Sequence, residues 1–246
     1  MSLIKKIIRK LLPPIIIDVV NHLLPKNRRR KIPDKELYAP LFSPWLGLGE
    51  FKNILTQIKP HTLVSPERIW ILYSLARQAK NIPGNFWECG VYKGGTGMLL
   101  ANIVRSSSTT KKLRLFDTFC GMPSTHPKFD LHKEGDFSDN SLEAVKNRIQ
   151  ECPNVIFHQG LIPETFSNLD AEKISFAHID VDIYQSILDC CEFIYPKLSC
   201  GGVLLFDDYG FPSCPGARLA VDQFFKEKPE VPIILPTGQA FIIKVA

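Results

Sequence analysis

The sequence lacks several features that would place it in a well-defined class of protein. No uncharged apolar run approaches the roughly 20 residues that a membrane-spanning helix needs, so we do not expect a transmembrane protein. The seven cysteines include no C-x-x-C pair, and they lack the ligand spacing typical of zinc sites. An odd number of unpaired cysteines favours reduced thiols in a cytoplasmic protein.

Positive charge is scarce outside the first 31 residues. That segment holds nine basic residues against Asp18 alone, a net charge of +8, whereas the whole chain carries +5 and the remainder therefore −3. Because no basic stripe continues into the body of the chain, we do not expect nucleic-acid binding. The segment's apolar run is broken by Pro13 and Pro14, and no small-residue cleavage site follows, so it does not read as a signal peptide. Peripheral contact of residues 1–31 with an anionic membrane, docking on another subunit and a partly ordered tail stay open.

Length and proline content predict one domain with an extension. A chain of 246 residues, 45% of them hydrophobic, can bury one sizeable core. Residues 1–60 are rich in proline, so any helices of this extension must be short. Residues 61–246 form the predicted main domain.

The main domain alternates between strand and helix patterns. Its first helix begins after Ser65, an N-cap residue followed by proline, and ends at Pro83 and Gly84. The predicted strands are 85–89, 113–116, 155–158, 174–179, 203–206, 231–235 and 240–245. The later predicted helices are 98–104, 141–149, 186–195 and 215–225. This order predicts an α/β fold with a mostly parallel, doubly wound sheet and a C-terminal antiparallel hairpin, which binds ligands at the carboxyl ends of its strands.

Glycines and a carboxylate surround the end of the first predicted strand. Residues 88–97 read E-C-G-V-Y-K-G-G-T-G. Gly90 and Gly94 would let the backbone approach a ligand closely and leave helix N–H groups free. The spacing of these glycines differs from the G-x-G-x-x-G pattern of dinucleotide-binding proteins. In addition, the acidic residue Glu88 precedes the first glycine. Both features favour S-adenosylmethionine over a nicotinamide dinucleotide. An ordinary turn between strand and helix is the structural alternative.

Further cofactor contacts are predicted from the second strand and a polar loop. Asp117 ends that strand, and a carboxylate there can accept hydrogen bonds from both ribose hydroxyls of either cofactor. Asp136 and Phe137 are candidates to face the adenine, although Asp136 could equally be a solvated loop carboxylate.

Four aspartates follow two later strands. Asp180 and Asp182 come after the fourth strand, and Asp207 and Asp208 after the fifth. Carboxylates that converge at one sheet edge repel each other unless a cation or protons intervene. An oxygen-only ligand set selects a hard ion, so we predict Mg²⁺. Helix capping by two of these aspartates is the structural alternative, and His178 is either a catalytic base or an interior histidine.

Short motifs make the chain resemble a known family. They are S-P-E-R at 65–68, F-W-E-C-G-V-Y-K-G-G at 86–95, F-D-T-F at 116–119, H-I-D-V-D-I-Y at 178–184, D-D-Y at 207–209 and C-P-G-A-R at 214–218. Through them, roughly residues 60–245 resemble the TylF-type macrocin O-methyltransferases, which include mycinamicin and novobiocin sugar methyltransferases.

The resemblance implies a class I methyltransferase fold with a Rossmann-like seven-stranded sheet, S-adenosylmethionine and Mg²⁺. It implies Asp180, Asp207 and Asp208 as metal ligands, Asp182 as the general base, and Asp117 as the ribose ligand. The implied acceptor is a hydroxyl of a sugar, in a glycosylated natural product or a surface glycan.

Two other functions stay open on the residues alone. One is an NAD-dependent sugar oxidoreductase or epimerase, and the other is a non-catalytic, membrane-associated protein that keeps the methyltransferase fold. We expect a cytoplasmic location, with membrane association through the basic arm still open. We also expect a homo-oligomer, since the extension could pass between subunits.

Overall fold

The computed structural model describes residues 42–107, 110–149 and 152–245. The chain divides after Ser43 into two units, residues 1–43 and 44–246. The segment 1–31, for which membrane contact, docking on another subunit and a partly ordered tail stay open, lies outside the described residues. Within the described ranges, no helix is both long and apolar enough to cross a membrane.

Six α-helices and seven β-strands make up the described part of the second unit. The helices are α1 (Glu50–Ile58), α2 (Pro66–Ala79), α3 (Gly95–Arg105), α4 (Leu142–Arg148), α5 (Tyr184–Ile194) and α6 (Pro215–Phe225). The strands are β1 (Asn85–Cys89), β2 (Leu113–Asp117), β3 (Val155–Gln159), β4 (Ile174–Ile179), β5 (Leu198–Phe206), β6 (Ile233–Ile234) and β7 (Ala240–Ile243). Short 3₁₀ helices lie at Pro44–Leu46, Lys59–His61, Glu164–Phe166 and Tyr195–Lys197.

The strands form one sheet in the order β3-β2-β1-β4-β5-β7-β6. Strands β1 to β5 pair in parallel, whereas β7 runs antiparallel to both β5 and β6. This confirms the predicted mostly parallel sheet and its C-terminal hairpin.

Two apolar clusters lie on opposite faces of the sheet. Phe86 belongs to the cluster that includes α1, α2 and α3, and its neighbour Trp87 belongs to the cluster that includes α5 and α6. Successive strand residues face opposite sides of a sheet, so strands covered on both faces bury consecutive residues and are mostly apolar. Strand β4 accordingly has all six residues buried.

Residues 44–60 pack with this unit. Phe51, Leu55 and Ile58 of α1 are buried in the first cluster, and their spacing puts them on one face of the helix. The division of the chain after Ser43 therefore falls earlier than the predicted boundary at residue 60.

Strand β5 is longer than the sequence predicts. Gly201 and Gly202, which read as a turn before the strand, lie inside it. Gly201 has a φ of 77°, and the pairing of β4 with β5 shifts register between Ile174 and Phe176. Glycine at such an irregularity is consistent with a bulge, which periodicity alone does not reveal.

Candidate active site

A cleft opens at the carboxyl edge of the sheet, where β1 lies between β2 and β4. Its cavity volume is about 270 Å³. From β1 the chain continues to β2 and β3 on one side and then crosses to β4 on the other side of β1. Doubly wound sheets bind their ligands at such a reversal of strand order. The predicted site residues that line the cleft are Gly90, Asp117, Phe137, Asp180, Asp182 and Asp208. The predicted residues outside its lining are Glu88, Gly94, Asp136, His178 and Asp207.

Gly90 is required by the close approach of two strands. A Cβ at this position would lie only 1.8 Å from the backbone oxygen of Asp180. The φ of Gly90 is 85°, a backbone conformation that residues with a Cβ rarely adopt. Gly94 also has a positive φ, but it precedes α3 and its Cβ would meet Val145. Gly94 is therefore the turn residue that directly precedes α3.

Asp117 anchors the loop between β1 and α3. Its Oδ2 accepts from the backbone N–H groups of Val91 (2.8 Å) and Tyr92 (2.9 Å), and its Oδ1 accepts from that of Phe119 (2.6 Å). A carboxylate has about four acceptor sites. Three are used by the backbone, which holds the group in place. The Thr118 hydroxyl lies 3.5 Å from Oδ1, but it lies much closer, at 2.5 Å, to the carbonyl of Gly121, so one site can still accept from a donor in the cleft.

Three residues that line the cleft have positive φ without being glycine. They are Tyr92 at 49°, Phe137 at 61° and Asp182 at 59°. Such conformations are unfavourable for residues with a Cβ and tend to cluster at functional sites. Aspartate tolerates the left-handed region better than most residues, and Asp182 is further held by the bond from its N–H to Asp208 Oδ2 at 3.0 Å.

Asp207 lies fully buried behind the cleft wall. It accepts from the Arg68 guanidinium at Oδ2 and from Gln239 Nε2 at Oδ1, at 2.6 Å in the second case. Burial favours the neutral acid, but the hydrogen bond to His178 and the charges of His178 and Arg68 outweigh it and lower the pKa of Asp207. Asp207 is therefore a charge-compensated carboxylate.

His178 is buried between two carboxylates. Its Nδ1 lies 3.0 Å from Glu88 Oε1 and its Nε2 lies 3.4 Å from Asp207 Oδ1. Burial opposes the charged imidazolium, but the hydrogen bonds to Asp207 and Glu88 prevail and raise the pKa of His178 to about 10. A charged histidine with both nitrogens engaged and no surface in the cleft fits the interior alternative. Glu88 is its partner, since the two residues are paired across β1 and β4.

The ionised forms of the other aspartates are disfavoured in the absence of a cation. Burial and the neighbouring Asp207 raise the pKa of Asp180, and burial together with Asp182 and Asp180 raises that of Asp208. Burial also raises the pKa of Asp182. Among the described residues, Arg68 and His178 are the basic groups close to Glu88 and Asp207, and His132 Nε2 lies 3.7 Å from Asp182 Oδ1. A divalent cation would offset this excess of negative charge, and ligand atoms of His178, Asp180 and Asp207 lie within 4.8 Å of one another.

Sequence reasoning assigned no role to several residues of the site. Arg68 lines the cleft, pairs with Asp207 and lies over the Phe211 ring at 4.5 Å. Arg68 belongs to the S-P-E-R motif, and this motif is the sequence feature that could have identified it. Gln239 lies in the hairpin between β6 and β7, and no sequence motif marks it. His132 and Cys214 also line the cleft beside Asp182.

The strand order and the cleft beside β1 define a class I S-adenosylmethionine-dependent methyltransferase. Two solved structures share the fold. The O-methyltransferase NovP superposes with a TM-score of 0.69 at 24% identity, over 76% of this chain and 83% of that one. CalS11, a calicheamicin methyltransferase, gives a TM-score of 0.66 at 20% identity, over 85% and 91%.

Residues 58–234 match the model of the macrocin-O-methyltransferase (TylF) family, and the chain belongs to that family. It is 26% identical over 178 residues to demethyldecarbamoylnovobiocin O-methyltransferase of Streptomyces niveus, covering 67% of each chain. It is 27% identical over 180 residues to mycinamicin III 3''-O-methyltransferase of Micromonospora griseorubida, covering 67% of this chain and 70% of that one. The predicted family, fold and O-methyltransferase activity are thereby confirmed, and the NAD-dependent alternative is set aside.

Proposed function

We propose that this O-methyltransferase depends on Mg²⁺ and moves the methyl group of S-adenosylmethionine to a sugar hydroxyl of a glycosylated natural product or surface glycan. The observation that carries the metal requirement is the convergence of Asp180, Asp207 and Asp208 at one edge of the sheet, where burial and the neighbouring carboxylates raise the pKa of Asp180 and Asp208. Two similar proteins support the acceptor class, because their names contain a sugar: one is an 8-demethyl-8-(2,3-dimethoxy-alpha-L-rhamnosyl)-tetracenomycin-C 4'-O-methyltransferase of Streptomyces olivaceus, and CalS11 is named a TDP-rhamnose 3'-O-methyltransferase.

Asp180, Asp207 and Asp208 would hold the metal ion. Asp180 and Asp208 line the cleft, whereas Asp207 meets Arg68, His178 and Gln239 and keeps roughly one acceptor site of the four that a carboxylate offers. A bound Mg²⁺ would supply a Lewis acid and a template for two oxygens of the acceptor. Arg68 and the charged His178 keep Asp207 ionised and available for that role.

Asp182 is the candidate general base. It lines the cleft, and its backbone N–H bond to Asp208 fixes it beside the acidic cluster. Its role would be to take the proton of the acceptor hydroxyl as the oxygen attacks the methyl carbon in line with the departing sulfur. Burial raises the pKa of Asp182, which favours a base, whereas a nearby cation acts in the opposite sense. His178 has no surface in the cleft, so we assign it to positioning Asp207.

Positioning is expected to supply more of the acceleration than proton removal. Holding two reactants in line can contribute roughly 7–11 kcal/mol. Asp117 and the loop between β1 and α3 would hold the cofactor on one side of the cleft. The acidic residues Asp180, Asp182 and Asp208 would hold the acceptor on the other side. The preorganised bonds of Asp117 to Val91, Tyr92 and Phe119 suit that task.

Methyl transfer from labelled S-adenosylmethionine to a panel of nucleotide sugars, glycosylated natural products and glycans tests the proposal. We expect a methylated saccharide that disappears with EDTA and returns with excess Mg²⁺. Full turnover in EDTA would contradict the metal requirement. Turnover on non-sugar phenols alone would contradict the acceptor class.

Asp182→Asn is expected to lower kcat by roughly 10²–10⁴-fold, the range for loss of a general acid–base group. Because the amide keeps the size of the side chain, the Kd values for S-adenosylmethionine and Mg²⁺ should change little when measured by titration calorimetry. Asp170→Asn is the matched control, since this side chain is 85% exposed and does not line the cleft. A kcat near that of the unmodified protein would rule out Asp182 as the base.

A further inference from the structure

A second group of ligand atoms lines the cleft beside the acidic cluster. His132, Asp182 and Cys214 each offer one ligand atom there. His132 Nε2 lies 3.6 Å from Cys214 Sγ and 3.7 Å from Asp182 Oδ1, and Cys214 Sγ lies 3.3 Å from the same Oδ1. These three residues come from the loop after β2, the end of β4 and the start of α6, so the fold and not the local sequence brings them together.

The three separations lie near those of one face of a tetrahedral metal site. Bonds of about 2.3 Å to sulfur and about 2.0–2.1 Å to nitrogen and oxygen place tetrahedral ligand atoms roughly 3.3–3.6 Å apart. Pairs that include sulfur belong at the upper end of that range and the nitrogen–oxygen pair at the lower end. The nitrogen–sulfur separation of 3.6 Å fits, whereas the sulfur–oxygen separation of 3.3 Å is shorter than ideal and the nitrogen–oxygen separation of 3.7 Å is longer. Binding would need only small side-chain movements.

The orientation of His132 gives an independent indication. Its Nδ1 lies 3.2 Å from Asp136 Oδ2, which also accepts from the backbone N–H of Lys133 at 3.0 Å. Histidines that ligate metals commonly give their other ring N–H to a carboxylate, which fixes the ring. Here that arrangement directs Nε2 toward Cys214 and Asp182.

We propose that His132, Asp182 and Cys214 form a binding site for Zn²⁺ or a similar thiophilic divalent cation, with its fourth position open to the cleft. A set of thiolate, imidazole and carboxylate selects such metals, whereas the oxygen-only aspartates select Mg²⁺. On binding, the S–H bond of Cys214 breaks, its electron pair forms the sulfur–metal bond, and the proton passes to solvent. The hydrogen bond from that thiol to Asp182 is replaced by the shared metal.

Occupancy of this site would inhibit methyl transfer. This consequence rests on the proposed function, because it requires Asp182 to be the base for the acceptor hydroxyl. A metal bound to Asp182 Oδ1 withdraws that carboxylate from proton transfer and fills part of the acceptor side of the cleft.

Titration of the full-length protein with Co²⁺ in saturating Mg²⁺ tests the site. We expect one Co²⁺ per chain, with a thiolate-to-metal charge-transfer band in the near ultraviolet and intense tetrahedral bands in the visible, all removed by Zn²⁺. Cys214→Ser should abolish the charge-transfer band. Asp136→Asn should weaken binding by about 10–100-fold, the usual cost of losing a carboxylate behind a histidine ligand. That side chain is 42% exposed, so the variant should fold.

Cys120→Ser and Cys200→Ser are the matched controls, because both thiols are exposed and should leave the spectrum unchanged. Absence of the charge-transfer band, or a band that survives Cys214→Ser, would overturn the proposal. The spectrum is recorded without turnover, so it tests the metal site independently of methyl transfer. A protein that binds Co²⁺ at this site but transfers no methyl group would contradict only the proposed function. Zn²⁺ inhibition that persists in Cys214→Ser would place the inhibitory ion elsewhere and refute the inhibitory role of this site.

Discussion

Asp180→Asn is expected to reduce Mg²⁺-dependent methyl transfer by on the order of 10³-fold or more. Lewis-acid stabilisation is worth several kcal/mol, and each 1.36 kcal/mol of barrier corresponds to about tenfold in rate. Asp180 lines the cleft, and after burial the charge of Asp207 is the largest influence on its pKa. The amide keeps its shape but removes the charge that would hold the metal.

The same substitution should leave the fold intact. Burial and Asp207 raise the pKa of Asp180, so the ionised side chain is unfavourable in the metal-free protein and a neutral amide relieves that cost. The melting temperature without metal should be equal or higher. Asp170→Asn provides the control for activity. A variant with unchanged kcat/KM and unchanged dependence on Mg²⁺ would exclude Asp180 as a ligand.

The convergence of the aspartates could be predicted from sequence because it follows from topology. Asp180 and Asp207 each come directly after an apolar strand, and parallel strands end at the same sheet edge. The structure accordingly pairs β4 with β5 and brings the two carboxylates together. Asp117 is similar, since its position at the end of β2 determines its contact with the neighbouring glycine loop.

The partners of these carboxylates could not be predicted in the same way. Arg68 reaches Asp207 from α2, 139 residues away in sequence, and Gln239 reaches it from the C-terminal hairpin. No periodic pattern encodes such contacts, because they depend on how helices and hairpins pack on the finished sheet. The pairing of Glu88 with His178 depends on the register of β1 against β4, which a strand prediction does not provide.

The loop after β2 was the least predictable part of the site. Asp136 and Phe137 were both candidates to face the adenine, yet only Phe137 lines the cleft. Asp136 instead bonds to His132 and to the backbone of Lys133. Irregular loops are shaped by such local polar contacts and not by hydrophobic periodicity, so the role of each carboxylate there could only be read from the structure.

We expect different effects on stability from two substitutions of adjacent residues, Asp207→Asn and Asp208→Asn. Removing one partner of a buried ion pair costs about 3–5 kcal/mol, because the other charge is left uncompensated. Asp207→Asn should therefore lower the free energy of unfolding by about that amount, since it leaves Arg68 and the charged His178 without their shared carboxylate. Asp208 faces other carboxylates, which with burial raise its pKa, so Asp208→Asn should be neutral or stabilising.

Urea unfolding of the metal-free protein at neutral pH measures both changes. The sign follows from the pKa directions: Asp207 has a lowered pKa in the folded state, so its contribution is present above the ordinary value of 3.8 and is lost as the pH falls through the lowered one. Adding Mg²⁺ should stabilise the unmodified protein and Asp208→Asn to different degrees, because the variant lacks one ligand charge. Equal destabilisation by both substitutions would show that Arg68 and His178 do not compensate the charge of Asp207 selectively. In that case the structure would give no physical reason for treating Asp207 as an ionised ligand of the metal.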